Sequence, residues 1–363
     1  MTAVKTYFPN LDALRFLAAL AVICGHMVNW FQWPQGQISK WIQIALTLDG
    51  AGGKAGVSFF FTLSGFLITW LMYEEMSRTS TLSVRKFYTR RIFRIWPLYF
   101  VTLFIGFVLY PYITTAQGFR ETADWRMYVF FLNNFEFVYK GIPENGLLHV
   151  QWSIAVEEQF YLIWPWIFLL FSSARYFPWA CAALIAGSFL FHVSGGDYYH
   201  SLTALNDLAI GALLAYWAFN HLESIARFFQ KQTKTGTVLI YLIGFFLLVS
   251  NYQLGSRLMY FKWFDGIIYS VFFGYIIMEQ NYSPHSFVKF GSFGIFSWLG
   301  KISYGLYLLH MEAIYIVLFL NSAWRMPLFV NIILTLIVTI GLSFLSYRFL
   351  ESPFLKLKEK FSI

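Results

Sequence analysis

Charge is what this chain has least of. Only 12% of its 363 residues are Asp, Glu, Lys or Arg, about half the share found in a soluble domain. Cysteine is nearly absent as well. Cys24 and Cys181 both sit inside apolar stretches, which excludes a disulfide framework and a Cys-based metal centre. No P-loop, GxSxG elbow, HExxH pair or EF-hand loop occurs. His192, His200, His221 and His285 lack ligand-like spacing, so no metal is expected. No internal repeat, low-complexity tract or separate soluble domain is visible, and residues 1–363 read as a single transmembrane domain.

What is present is apolar: 58% hydrophobic, 22% aromatic, with a mean hydropathy of +0.57. This is the composition of an all-α, polytopic membrane protein. A crossing takes about 20 apolar residues. Segments 11–31, 55–73, 95–113, 153–171, 176–193, 202–219, 236–250, 263–279, 302–320 and 327–349 qualify, so about ten transmembrane helices around a central cavity are expected. The first segment is too long for a signal peptide and leads straight into further spans, so it is expected to be retained. Segment 125–139 contains Arg126, Asn133, Asn134 and Glu136 and reads as a re-entrant or interfacial piece.

The net charge of +8 lies mostly between spans, as orientation signals do, and does not point to nucleic acid. With 125–139 left out as a crossing and the N-terminus in the cytosol, the inner segments carry about twice as many cations as the outer ones. The inner set is Lys5, Arg78, Arg85, Lys86, Arg90, Arg91, Arg94, Arg175, Arg227, Lys231, Lys234, Lys289, Lys301, Arg348, Lys356, Lys358 and Lys360. The outer set is Lys40, Lys54, Arg120, Arg126, Lys140, Arg257, Lys262 and Arg325. Both termini are therefore expected in the cytosol.

Against this background Arg15 and His26 stand out, because both lie inside LDALRFLAALAVICGHMVNWF. An ionisable side chain within a membrane-length helix marks function by default. Their eleven-residue separation is three turns plus about 20°, so they share a face roughly 16 Å apart along the axis. The cluster Arg85, Lys86, Arg90, Arg91 and Arg94, read as a cytosolic loop, is either a positive-inside anchor or a phosphate clamp, since arginine binds phosphate in bidentate fashion. Arg90 and Arg94 would share a helix face. In HVQWSIAVEEQFYLIWPW, Glu157 and Glu158 diverge by about 100°. Glu158 reads as a solvated helix-start carboxylate. Glu157, with Tyr161 beside it, is the choice to orient His26 or to help deprotonate a hydroxyl. Trp152 is a sugar-stacking candidate or an interfacial anchor, as are Trp125 and Trp263.

Two motifs close the chain. Ser303, Tyr307 and His310 in GKISYGLYLLHMEAI share one face of the ninth span. His310 reads either as a satisfied helix-contact histidine or as a substrate-binding group. In YRFLESPF, Arg348 and Glu351 are expected to pair and Ser352-Pro353 to stop the helix. Gly56, Ser64 and Gly65 in GVSFFFTLSGFLITW read as small residues for close helix packing.

Taken in order, LDALRFLAALAVICGH, GVSFFFTLSGFLIT, FYTRRIFRIWPLYF, WSIAVEEQFYLIWP, LNDLAIGALLAY, ISYGLYLLH and YRFLESPF resemble the successive blocks of the membrane-bound acyltransferase 3 family of O-acyltransferases, over nearly the whole chain. Ser58 departs from the pattern, since family members often carry aspartate there, and no appended extracytoplasmic domain is expected. The resemblance implies transfer of an acyl group, usually acetyl, from cytosolic acyl-CoA to a hydroxyl of an extracytoplasmic or lipid-linked glycan. It implies a multi-pass protein of the cell's inner membrane that contacts lipid and holds no permanent cofactor, with acyl-CoA (acetyl-CoA) as donor substrate. His26, Arg15 and Glu157 match catalytic positions, and Arg90, Arg91 and Arg94 match a basic motif facing acyl-CoA. The residues alone leave three alternatives open: His26 as general base or as transient acyl carrier, a small secreted metabolite as acceptor, and a lipid-linked sugar carrier or flippase without covalent chemistry.

Overall fold

The computed structural model describes residues 8–31, 48–114, 118–172, 175–255 and 263–359. The orientation signals Lys5, Lys40, Arg257, Lys262 and Lys360 fall outside these residues.

Among the described residues the regular structure is entirely helical. The helices are α1 (Pro9–Trp30), α2 (Leu48–Thr79), α3 (Val84–Phe104), α4 (Trp125–Val129), α5 (Asn133–Lys140), α6 (Gln151–Phe171), α7 (Phe177–Val193), α8 (Ser201–Asn220), α9 (Leu222–Gln230), α10 (Lys234–Gly255), α11 (Asp265–Tyr282), α12 (Gly294–Lys301), α13 (Ser303–Trp324), α14 (Leu328–Ser346) and α15 (Ser352–Glu359). Among the described residues, seven helical segments rather than the expected ten are long and apolar enough to cross a membrane, and Phe177–Val193 and Lys234–Leu248 are shorter apolar helices. The chain is a multi-pass, all-α membrane protein. Every one of the ten apolar segments is helical. The interfacial piece forms α4 and α5, at 5 and 8 residues far short of a crossing.

Several boundaries differ from the sequence reading. The basic cluster is not a loop. Ser83 caps α3 by accepting from the Lys86 N–H, so Arg85 through Arg94 already lie on the helix. Helix α6 starts at Gln151, which places Glu157 and Glu158 in its second turn rather than at its mouth. The C-terminal helix does not stop at Ser352-Pro353. It passes through a π-helical turn, Tyr347–Glu351, into α15. A proline in the first turn of a new helix forfeits no needed N–H, and the wider turn re-phases the side chains.

The chain divides into two compact units, Met1–Val22 with Gly50–Leu82 and Ile163–Lys301, and Ile23–Asp49 with Ser83–Leu162 and Ile302–Ile363. In the first unit, an aromatic core gathers Phe8, Phe59, Phe66, Trp70 and Phe273. There α2 and α8 cross backbone to backbone. A Cβ on Gly65 would strike the Leu208 carbonyl, and one on Gly211 would strike the Thr62 carbonyl. Gly56 likewise lies against Ala18, so the small residues of α2 do serve packing. In the second unit, α13 packs along α14, and Tyr304 of α13 donates to the Ile95 carbonyl of α3 at 2.7 Å.

Candidate active site

Helix α1 carries both residues singled out first. The Arg15 guanidinium meets Asp12 Oδ1 at 2.6 Å. The i, i+3 spacing was visible in LDALR, but Asp12 was not read as a partner. His26 lies farther along the helix, in the second unit, and finds a partner 284 residues away: its Nδ1 is 2.9 Å from Nε2 of His310. The two rings lie 5.0 Å apart, tilted by 32°.

The hydrogen bonds decide the tautomers of this pair. Nδ1 of His310 is 2.7 Å from the Tyr307 carbonyl. A carbonyl only accepts, so His310 carries its proton on Nδ1 and, when neutral, presents a lone pair at Nε2. That lone pair accepts from Nδ1–H of His26. The basic nitrogen of His26 is then Nε2. One imidazole holds another in a single tautomer and orientation, as a hydrogen-bonded partner orients a catalytic histidine. His310 is fully buried, so the orienting ring is fixed by packing.

On the same face of α13, Tyr307 shares a 2.6 Å hydrogen bond with Ser153 of α6. Both hydroxyls also reach the Val150 carbonyl, Ser153 at 3.1 Å and Tyr307 at 3.4 Å, so either can be the donor between the two. Ser303 is also buried. The expected shared face of Ser303, Tyr307 and His310 is thus present, while the pairing of His310 with His26 was missed. No local spacing signals a contact between helices so far apart in sequence.

Glu157 accepts from the Tyr161 hydroxyl at 2.7 Å, matching the expected neighbourhood of those two residues. The hydrogen-bond partner seen on His26 is His310. Glu158 is not a solvated carboxylate. One oxygen accepts from Trp96 Nε1 at 3.1 Å, and the other is buried without a hydrogen-bond partner. The guanidinium of Arg91 lies between the Phe87 and Tyr161 rings, 5.6 and 5.7 Å from their centroids, and its Nε is buried without a partner. Arg90 and Arg94 share that helix with it, one turn apart. Trp152 is only 7% exposed, its indole enclosed among the buried residues of the first turn of α6.

Arg348 and Glu351 do not pair. Glu351 accepts from Ser346 at 2.9 Å and feels the charge of Arg94, whereas Arg348 stacks over Phe349. Both residues lie within the π-turn, which breaks the i, i+3 geometry on which the expectation rested.

In the first unit, the departure at Ser58 has a structural counterpart. Its hydroxyl donates to Asp207 at 2.8 Å, and Ser270 donates to the same carboxylate oxygen. The serine is therefore bonded to a carboxylate supplied by the LNDLAIGALLAY block, a connection the sequence did not show. Among the described residues, no cluster of three His, Cys, Asp or Glu is arranged to hold a metal.

A fully buried His310 that orients a half-buried His26 gives this multi-pass helical protein a positioned imidazole able to act as base or nucleophile. The acyltransferase 3 model, described as an acyltransferase domain, matches residues 8–348, and the chain belongs to that family. It is 30% identical to the peptidoglycan O-acetyltransferase OatA of Listeria monocytogenes, over 97% of this chain and 56% of the relative. It is 30% identical to a putative peptidoglycan O-acetyltransferase, YrhL, of Bacillus subtilis, over 96% and 55% respectively. A putative O-acetyltransferase of Staphylococcus aureus is 28% identical over 96% of the chain and 58% of its own length. The chain thus spans a little over half the length of these curated relatives. No solved structure matches it.

Proposed function

We propose that this protein is an O-acetyltransferase of the cell's inner membrane, moving an acetyl group from cytosolic acetyl-CoA to a hydroxyl of a peptidoglycan-type glycan. The family and the activities for which the relatives are named support the reaction class and the acceptor. The observation that carries the chemistry is the His310-to-His26 hydrogen bond, which leaves Nε2 as the basic and nucleophilic nitrogen of His26.

Two routes use that nitrogen. In the first, Nε2 takes the acceptor's hydroxyl proton as the oxygen attacks the thioester carbonyl. The C–S bond breaks, and the thiolate recovers the proton from the imidazolium. In the second, Nε2 itself attacks and the thiolate leaves; the hydroxyl then attacks the acyl-imidazolium, the C–N bond breaks to return neutral imidazole, and the hydroxyl proton goes to the thiolate. Arg90, Arg91 and Arg94 hold the CoA phosphates. Arg15, fixed by Asp12, positions the thioester arm. Glu157, within electrostatic reach of Arg91, sets the charge of the donor pocket. Both termini face the cytosol.

The decisive variant is His26→Ala, purified in detergent and supplied with acetyl-CoA and a soluble glycan acceptor. Transfer falls by about 10²–10⁴-fold, the range of a lost general acid–base, while the elution profile and helical content match wild type. Near-wild-type transfer would remove His26 from the reaction. Rapid mixing with labelled acetyl-CoA and no acceptor separates the routes, since a trapped acyl-protein dependent on His26 identifies the carrier route.

A further inference from the structure

Helix α9 joins two apolar helices of the first unit, α8 and α10. At 9 residues it is too short to cross a bilayer. It therefore lies near the level at which α8 leaves the apolar layer and α10 enters it. Leu222, Ile225, Ala226 and Phe229 repeat at i, i+3, i+4 and i+7, which is one helical face. That face is docked. Phe229 is buried in the aromatic core, Ile225 packs against the same core, and the Phe229 ring lies 6.0 Å from that of Tyr275 on α11. The turn after the helix is fixed as well. The Tyr275 hydroxyl donates to Gln232 Oε1 at 2.8 Å, and the Thr233 hydroxyl accepts from the Gly236 N–H at 3.1 Å.

One large apolar residue is left out of this packing. Phe228 is 56% exposed, although its neighbour Phe229 is buried. Arg227, Lys231 and Lys234 are exposed beside it. Helical periodicity puts Arg227 and Lys231 on the side of α9 opposite the docked face, and Lys234 opens α10. Among the described residues, no carboxylate forms an ion pair with any of these three cations. Glu223 stands one turn before Arg227, yet it meets Arg227 Nε through its backbone carbonyl, at 3.4 Å. The Ser224 hydroxyl is 3.5 Å from Nη2. These two long contacts leave most of the five guanidinium N–H donors open.

The chemistry of the patch narrows the ligand. Cations without counter-charges, held on a rigid turn, attract an anion. A phenylalanine exposed beside them at the membrane's edge favours an anion that carries acyl chains. A short helix with cations on its polar face and an aromatic ring at its flank is the pattern of a helix lying among lipid headgroups. There each cation near an anionic surface adds to binding. A soluble phosphate would use the charges and gain nothing from Phe228.

We infer that α9 and the first residue of α10 form a binding site for an anionic phospholipid. Arg227 donates to the phosphodiester as a planar fork, Lys231 and Lys234 act as point charges, and Phe228 lies against the upper part of the acyl chains. The site belongs to the first unit and does not depend on the acetyltransferase reading.

The test uses the full-length protein, delipidated in a neutral detergent, with dioleoylphosphatidylglycerol and dioleoylphosphatidylcholine as probes. Native mass spectrometry counts bound lipid across a titration. The wild type is expected to hold phosphatidylglycerol the more tightly, by a margin that shrinks as salt rises. Lys231→Gln should weaken phosphatidylglycerol by about fivefold, and Arg227→Gln, Lys231→Gln and Lys234→Gln combined by about 100-fold, with phosphatidylcholine unchanged. Phe228→Ser should weaken both lipids alike, by about threefold. Wild-type phosphatidylglycerol affinity in the combined variant overturns the site, and so does an equal loss of both lipids there. Wild-type affinity for both lipids in Phe228→Ser removes the acyl-chain contact and overturns it too. Displacement of phosphatidylglycerol by inorganic phosphate at matched ionic strength marks a soluble-anion site instead, with the same consequence. If the combined variant does not purify, Lys231→Gln alone decides by the same comparison of the two lipids.

Discussion

The two compact units bury polar groups to different ends. In the first, Asp207 lies deep among helices, yet one oxygen receives the hydroxyls of both Ser58 and Ser270. Asn10 donates to the Gln280 carbonyl and accepts from the Gly291 N–H. In the second, Glu312 is buried in α13 with neither carboxylate oxygen hydrogen-bonded, and Glu158, Glu136 and Arg91 each retain a buried atom without a partner. Satisfied networks specify a fold. Ionisable groups left with open valences cost stability, and they cluster where ligands and protons are handled. The first unit bears some of this cost too, at Glu279, Tyr73 and Thr237, but among the described residues the unpartnered ionisable groups are more numerous in the unit that holds the histidine pair.

Variants can break or sharpen that contrast. The largest effect is expected at the α2–α8 crossing, where backbones touch and nothing flexible can yield. Gly65→Leu should leave no monodisperse protein on size exclusion, since overpacking by a whole side chain against a carbonyl exceeds the roughly 1–3 kcal/mol of an ordinary core insertion. A folded Gly65→Leu protein would mean that the helices are not in backbone contact.

Next come paired substitutions of opposite sign. Asp207→Ala strands the Ser58 hydroxyl, while Ser270 keeps the Gly266 carbonyl, and should lower stability by about 1–3 kcal/mol. Glu312→Leu removes a carboxyl that has no partner and should raise stability by a similar amount, because a well-packed apolar residue outperforms an uncompensated buried polar group. Thermal unfolding in one detergent reads both. The same sign for the two would erase the distinction between the units.

The smallest effect lies at the start of α8, where Nδ1 of His200 accepts from the Leu202 N–H at 3.1 Å. Burial lowers the pKa of this imidazole, against an opposing pull from Asp197. A folded value below the unfolded one means that the neutral form is favoured in the fold. Its contribution is complete above about pH 6.5 and is lost as the pH falls through the depressed value. An N-cap is worth about 0.5–2 kcal/mol, so Tm should decline by about 1–2 °C between pH 7.5 and pH 5. In His200→Ser, which caps without titrating, this part of the decline should vanish. Identical pH profiles would remove His200 from the balance.

Much of the architecture was legible in the order of residues. Apolar runs of crossing length need no partner to be recognised, and every expected span is a helix. Helix periodicity placed Ser303, Tyr307 and His310 on one face, and Tyr161 beside Glu157. The errors share a cause. Arg348 with Glu351 and the stop at Ser352-Pro353 both assumed an unbroken α-helical phase, and a π-turn intervened. Glu158 was read as exposed because local sequence does not show that Trp96, 62 residues earlier, covers it.

The sequence by itself determined that this chain crosses a membrane and that Arg15 and His26 share a helical stripe, because hydrophobic length and a 3.6-residue period are local properties. Only the tertiary structure decided that His26 leans on His310, that Ser58 borrows the carboxylate of Asp207, and that Trp96 covers Glu158. Those are contacts between faces of different helices, and which faces meet is set by packing across the whole chain rather than by any neighbourhood within it.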